Sequence, residues 1–599
     1  MAKSDARFEY QAKLSRTDHD LSSQFGFTAA PGQLLPVFAD IATPGDSYYI
    51  NHDLGFMRTA PLLAPSMIDV KVHFESFFVP MQVLYQPFEN SMFSLQEILS
   101  SNYSVAQLRN QNLPLFNPNE VFNEIGAGSD NQEPLARFEA VRLFDMLDLP
   151  TVGLPGKNVF TQQFGSFFPW QLGAYQAIFQ FYYRLDDKES FNNVAFNFDK
   201  YYNKTETITE SWNDFRQLIK LRYRPWNFDY FTSSYSSPIV SNAGTLGVMM
   251  QDRYSELIGT PENNVGNTSP LKFDGSKNTG ANSDTRAFGF QTTSTFNSLN
   301  LQGGVNTAMI RQMFANEKLA MITGRTRKNY DSQVLAHYGV KVPHDVKHDI
   351  SFIGHDEYKL QVGEVTSLAS TELSPLGDIA GKGWAFGQSK KQHKFTAPCH
   401  GVVMTIFSIE PIIRYEGTTN RINFVSSALD IPMPEFDRLG NQPVYRREFY
   451  NHDRRVAASD WLLQLSGVWK ERYYQYKRRY NRVSLAFTEK PTSARQRDMT
   501  NVYSAYFVHN APFSLAPQDP DSLPGNGGVY YINPWCLDSL MLVSYNSVWM
   551  DGGTEASPTE DWDSAPYLAF SRDPFICDVD LKVKKVSWMS KDGEPIYPY

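Results

Sequence analysis

The chain has 599 residues and a formal net charge of −9, from 55 Lys and Arg against 64 Asp and Glu. With 42% hydrophobic and 20% charged residues it has the material for a buried core and lacks the composition of a globally disordered chain. Its 43 Phe, 32 Tyr, 37 Gly and 35 Pro favour strands and turns and exclude a coiled coil or helical repeat.

At about 150 residues per domain the length suggests roughly four domains, although a β-sandwich carries long insertions without starting a new one. Cys399, Cys536 and Cys577 are odd in number, widely spaced and without a C-x-x-C pair, so neither a disulfide framework nor a cysteine zinc module is expected. The opening MAKSDARFEYQAKL is polar and has no hydrophobic region of a Sec signal. The apolar stretch Gly401 to Ile413 is too short to span a bilayer. The expectation is a soluble product made in a reducing cytoplasm, with no membrane partner and no cofactor.

Residues 1–30 read as an N-terminal arm. Leu34, Leu35, Val37, Phe38 and Ile41 then lead through the turn signal Pro44-Gly45-Asp46 to Tyr48-Tyr49-Ile50. Between residues 68 and 75, Ile68, Val70, Val72 and Phe74 alternate with Asp69, Lys71, His73 and Glu75, which predicts a strand with one buried and one wet face. Short helices are expected around Leu95–Leu99 and Leu135–Leu147, and a longer one over 169–185. Residues 240–304 are rich in Gly, Asn, Ser and Thr without periodicity and read as a surface insertion. A helix closed by Gly324 and a second ending at Gly339 follow. Tyr358 to Val365 and Lys394 to Ile413 read as strands, the latter apolar enough to be buried on both faces. Residues 416–599 read as chain draped over other structure, and no repeat of fixed period is present.

Catalytic signals are absent: there is no G-x-S-x-G elbow, Walker loop, H-E-x-x-H or EF-hand loop. His344, His348 and His355, beside Asp345, Asp349 and Asp356, have metal-like spacing, but Pro343 and weak periodicity favour a solvated loop, and no metal site is assigned. Cys399 and His400 point to opposite faces of any strand and do not form a thiol–imidazole pair. The acidic total repels phosphate, so a nucleic-acid role must rest on a local patch. One is present. From 470 to 482, Lys470, Arg472, Lys477, Arg478, Arg479 and Arg482 stand against Glu471 alone, a local charge of +5, with Tyr473, Tyr474, Tyr476 and Tyr480 interleaved. Cations for phosphate and rings for bases suit single-stranded nucleic acid; a subunit contact and a plain solvated face are the alternatives. On a regular strand only part of this set could face one ligand.

Ordered motifs add a resemblance. LLPVFADIATPGD at 34–46, FESFFVP at 74–80, DYFTS at 229–233, RQMFANEKL at 311–319, HYGV at 337–340, EFY at 448–450 and the basic tyrosine run beginning near Gly467 occur in the order found in Microviridae major capsid proteins. The chain resembles the gokushovirus-like branch of these small single-stranded DNA phages. The resemblance implies a mainly β fold, a viral eight-stranded antiparallel jelly roll with large insertions containing short helices. The core would span 31–415, with 240–304 as a variable surface protrusion near the threefold axes, and 416–599 would complete and wrap it. It further implies a structural, non-enzymatic subunit that self-assembles into a T=1 icosahedral shell around circular single-stranded DNA. Its partners would be copies of itself, scaffolding, pilot and small basic DNA-associated proteins, and a host surface receptor. The virion would be its destination and the host bacterial cytoplasm its place of synthesis and assembly. Because bulk charge cannot neutralise the genome, a basic partner, cations or an inward patch is required. The competing class is a phage or bacterial β-sandwich that binds or cleaves glycans.

Overall fold

The computed structural model describes residues 16–60, 62, 67–88, 140, 142–149, 167–185, 196–198, 217–235, 314–316, 318–319, 321–323, 326, 330–340, 350–366, 379–415, 418–425, 430–437, 440–445, 448, 465–484, 509–510, 531–532, 537 and 573–589. The chain divides into two compact units, 1–238 with 327–599, and 239–326. In the second unit, residues 314–316, 318–319 and 321–323 are helical, within the helix expected there. The 240–304 insertion and the 95–99 helix lie outside the described residues.

The larger unit is a mainly β structure of antiparallel sheets. Its strands are β1 (Thr17–Asp20), β2 (Ser23–Ala29), β3 (Leu35–Ala42), β4 (Ser47–Thr59), β5 (Val70–Pro80), β6 (Ser351–Lys359), β7 (Gln361–Thr366), β8 (Ile379–Gly387), β9 (His393–Thr396) and β10 (Gly401–Pro411). Short pairings β11 (Arg414–Tyr415), β12 (Asn441–Tyr445), β13 (Leu465–Glu471) and β14 (His509–Asn510) follow, and β15 (Phe575–Ser587) comes last. In the first large sheet β15 lies between β4 and the β1/β2 pair, while β4 meets β9 with one half and β8 with the other, and β7 extends from β8. The second sheet has the order β3-β10-β5-β6.

The inner faces meet in one core. Tyr48, Ile50 and Leu54 of β4 and Val579, Leu581 and Val583 of β15 cluster with Val72, Phe74 and Phe78 of β5 and Val403, Phe407 and Ile409 of β10. Ring contacts cross between the sheets: Phe27 packs edge-on against Phe407 at 5.0 Å, and Phe78 lies 5.0 Å from Phe395. Helix α1 (Met81–Leu84) and helix α2 (Trp170–Ile178), which runs into a π turn at Phe179–Tyr183, join the same core, and Phe77 of β5 packs edge-on against Tyr182 of that turn. This double cover explains why every residue of β10 is buried, as the run from Lys394 predicts, although a turn at 397–400 separates β9 from it. The helix expected over 169–185 is present in α2 and its π turn. Helix α3 (Tyr330–Tyr338) closes at Gly339, whose φ of +70° only glycine adopts readily and whose N–H donates to the Leu335 carbonyl. Among the described residues no helix is long and apolar enough to cross a membrane.

Three sequence expectations need correction. Residues 1–30 are not wholly an arm, since β2 pairs with β15 from Ala29–Phe575 to Ser23–Leu581 and buries Ala29. The Tyr358–Val365 segment is two strands, broken at Leu360, that belong to different sheets. The wet face of β5 is wet only at its start. Asp69 is exposed and Lys71 half-buried, but His73 and Glu75 are 4% and 3% exposed because the π turn after α2 and the 217–235 segment cover them.

Candidate nucleic-acid surface

The basic tyrosine segment grows out of β13, which pairs with β12 from Asn441–Glu471 to Tyr445–Leu465. Tyr473 takes a left-handed φ of 61°, which turns the chain from strand into the single helical turn α4 (Tyr474–Lys477). Beyond Arg478 the backbone extends again, and Arg482 bridges in parallel to Tyr415. The segment is therefore irregular, and its side chains divide by environment rather than by strand alternation.

Part of the set faces inward. Lys470 is 4% exposed; its Nζ donates to Ser233 Oγ at 2.8 Å and lies 5.4 and 5.5 Å from the ring centroids of Tyr230 and Tyr474. Burial pushes its ammonium down to about 7, against the upward pull of Asp229 and with Arg478 pressing the same way. Tyr473 is buried, and Arg472 lies over its ring at 5.0 Å. Tyr480 packs against Tyr230 and Phe231, with centroids 5.0 and 5.1 Å away. Tyr474 donates to Glu448, which also accepts from Arg421 at 3.3 Å. Tyr474, with Tyr480 packed against it, joins Tyr230, Phe231, Trp226, Ile413, Tyr415, Val444 and Val468 in a second core cluster.

The rest faces solvent. Tyr476, Lys477, Arg478, Arg479 and Arg482 are exposed. Lys477 pairs with Asp437 at 2.5 Å and Arg478 with Glu471 at 3.7 Å, both partly exposed pairs of the kind that contribute little and exchange readily for another anion. Arg479 and Arg482 make no ion pair among the described residues. The outward set is thus four cations and one ring. Lys470, Tyr473 and Tyr480, picked out by residue type, are committed to packing, and Arg472 lies against the Tyr473 ring.

A different charged site was missed by sequence reasoning. On the outer face of the β3-β10-β5-β6 sheet, Arg224 grips Glu75 with a fork, Nη1 to Oε2 at 2.7 Å and Nη2 to Oε1 at 3.4 Å, and Nη1 also donates to Ser408 Oγ at 3.0 Å. Tyr183 donates to the same Glu75 carboxylate. His73 Nε2 lies 2.8 Å from Glu410 Oε2, and His355 Nε2 lies 2.9 Å from His73 Nδ1. Burial alone would raise both carboxyls, but for Glu75 the Arg224 charge and hydrogen bonds, and for Glu410 the His73 bond and Arg224, hold them below their ordinary 4.5. The signal in the sequence was the pair His73 and Glu75 on a strand whose other residues, Lys71 and Ser76 apart, are apolar. Its partner, 149 residues on, was not readable.

The histidine cluster also needs correction. His344 and His348 lie outside the described residues, whereas His355 and Asp356 are on β6, within the sandwich, and point to opposite sheet faces. His355 meets His73, and Asp356 meets two other histidines, neither of them among the three considered from sequence.

The capsid protein (F protein) family matches residues 9–127 and 129–504. The capsid protein VP1 of Chlamydia phage 1 is 22% identical over 609 residues, covering 89% of this chain and 96% of that protein. With the match spanning most of the β sandwich and the basic segment, the chain belongs to the phage F-protein family of capsid proteins and is a structural, non-enzymatic major capsid protein.

Proposed function

We propose that this protein forms a T=1 icosahedral shell around a circular single-stranded DNA genome, on a subunit whose sandwich is a viral jelly roll. The observation that carries the architectural reading is the interleaved strand order. One sheet runs β2-β15-β4-β9/β8 and the other β3-β10-β5-β6, so each places C-terminal strands between N-terminal ones, and the chain crosses between sheets at β2–β3, β3–β4 and β4–β5. Two four-strand paths threaded in this way are what an eight-stranded double Greek key requires. Residues 31–415 would supply most of that core, with β2 and β15 contributed from either side, and 416–599 its completion and wrapping. Residues 240–304 would project outward near the threefold axes, so limited proteolysis of intact particles should cut there first; protection there with cleavage elsewhere would remove that placement.

The genome contact is assigned to Lys477, Arg478, Arg479 and Arg482, with Tyr476 as the stacking ring, on the inner surface. Their exposure beside a packed aromatic cluster supports this reading, and binding would be indifferent to sequence. Scaffolding, pilot and small basic DNA-associated proteins, a host receptor, and synthesis and assembly in the bacterial cytoplasm complete the proposal by family resemblance. The family match favours it over a glycan-binding or glycan-cleaving sandwich. Negative-stain imaging of the purified protein tests it: closed uniform shells are expected, and discrete monomers with hydrolase activity would overturn it.

A further inference from the structure

We propose that His52, His393 and Asp356 form a binding site for a divalent transition metal, of which zinc is the best match, clamping the two sheets together. His52 comes from β4 in one sheet and Asp356 from β6 in the other, and His393 opens β9. His52 Nδ1 lies 2.8 Å from Asp356 Oδ2, and His393 Nε2 lies 2.9 Å from the same oxygen. Two imidazoles and one carboxylate form a nitrogen and oxygen set suited to zinc and its neighbours. The second cluster of this kind, His73, His355 and Glu357, is a poorer site, because His73 is already bonded to Glu410 and Glu357 pairs with Lys71 at 3.0 Å.

The surroundings suit an ion as well as a hydrogen-bonded knot. Asp356 Oδ2 also meets Ser389 Oγ at 2.9 Å, so three groups converge on one oxygen with two lone pairs. The single Ser389 hydroxyl proton is shared between that oxygen and the Lys391 carbonyl at 2.8 Å. On its far side, His52 Nε2 faces Ser76 Oγ at 2.7 Å, and Ser76 Oγ faces Thr405 Oγ1 at 2.8 Å. With Nε2–H donating to Ser76 and Ser76 donating to Thr405, the Nδ1 lone pair points at the carboxylate. In this tautomer Nδ1 is free to coordinate an ion beside the carboxylate, as in metal-bound histidines; in the other, Nδ1–H donates to Asp356 and zinc binding displaces that proton.

The frame holds the ligands in place. His52 is fully buried, its ring stacks on Phe74 at 5.7 Å, and its carbonyl accepts from Tyr358 OH at 2.5 Å. The His393 ring lies directly against Gly354, where any Cβ would come within 2.1 Å of His393 Nδ1. Metal bonds of about 2.0–2.1 Å in a tetrahedron require ligand atoms about 3.4 Å apart, so these atoms would open by roughly half an ångström. The Asp356 and His393 side chains are 14% and 10% exposed, which leaves an entry for the ion and room for a fourth ligand from solvent.

The test uses assembled shells, exposed to zinc sulfate, desalted and assayed by mass spectrometry for metal. About one zinc per subunit is expected, with loss to under about a tenth in His393→Asn and retention in His73→Asn. Less than about a tenth in the wild type, or full retention in His393→Asn, overturns the site. Should His393→Asn fail to assemble, X-ray absorption at the zinc edge of wild-type shells decides: two imidazoles in a nitrogen and oxygen shell support the proposal, and a sulfur-bearing or all-oxygen shell overturns it.

Discussion

The Arg224–Glu75–Glu410–His73 network and the Lys477–Arg482 segment are both dense in charge, yet they do opposite things. In the first, every carboxylate is buried and matched by a named cation or imidazole across distances of 2.7 to 3.8 Å. In the second, the charges stand in solvent, with two partly exposed pairs and two arginines that make no ion pair among the described residues. Removing a partner from the buried network leaves an uncompensated charge in a poorly solvated place, whereas removing a surface cation leaves only water behind. The first region therefore governs whether the subunit folds, and the second what the folded subunit attracts.

The largest effect is expected from Arg224→Met, which strands Glu75 and leaves Glu410 with His73 alone: urea unfolding of the unassembled subunit should show a loss of about 3–5 kcal/mol. Adding Glu75→Gln and Glu410→Gln should restore most of that. A variant as unstable as the single change would mean that Arg224 acts through packing instead.

Acid should single out the same network. Because Glu75 and Glu410 are held below their ordinary 4.5, the unfolded chain takes up protons first as pH falls. Their contribution is complete well above 4.5 and is lost as pH drops through the folded values. Relative to wild type, the triple variant Arg224→Met, Glu75→Gln, Glu410→Gln should show a flatter stability curve below pH ~4.5, measured by denaturant midpoint against pH.

Lys470 sits in the basic segment but behaves like the buried network, and its effect is smaller. Its folded value of about 7 against an ordinary 10.5 means that the unfolded state binds more protons between those values, so stability rises with pH across that window. Lys470→Met, close in volume, should remove that rise, cost or gain under about 1.5 kcal/mol at pH 7, and leave DNA affinity unchanged. A fall in the salt dependence of DNA binding would place Lys470 in the genome contact after all.

The smallest change in stability belongs to Arg479→Gln and Arg482→Gln, within about 0.5 kcal/mol each. Their signature is in binding: the slope of log affinity for single strands against log salt should weaken by about 0.7 per residue. Shells that fail to assemble while the isolated subunit keeps its slope would make this segment a subunit interface.

Much of the sandwich was legible in advance. The turn at Pro44-Gly45-Asp46, the apolar run of β10, the helix after Pro169 and the glycine stop at 339 all rest on local stereochemistry or on a strand's own burial pattern. One long signal was passed over: β15 alternates from Cys577 to Lys584, with Cys577, Val579, Leu581 and Val583 inward, but it stands alone at the end of a weakly patterned region.

By itself the sequence determined the β character, the family and the presence of a basic aromatic segment, because composition, strand periodicity and ordered motifs are properties of neighbouring residues. Only the tertiary structure decided which charges are buried. His73 and Glu75 look like a wet face until Arg224 and the π turn after α2 close over them, and Lys470 looks like a phosphate ligand until Ser233, Tyr230 and Tyr474 enclose it. Asp356 looks like loop until two sheets bring His52 and His393 to it. Whether a charged side chain meets water or protein depends on segments more than a hundred residues away, and no local pattern carries that information.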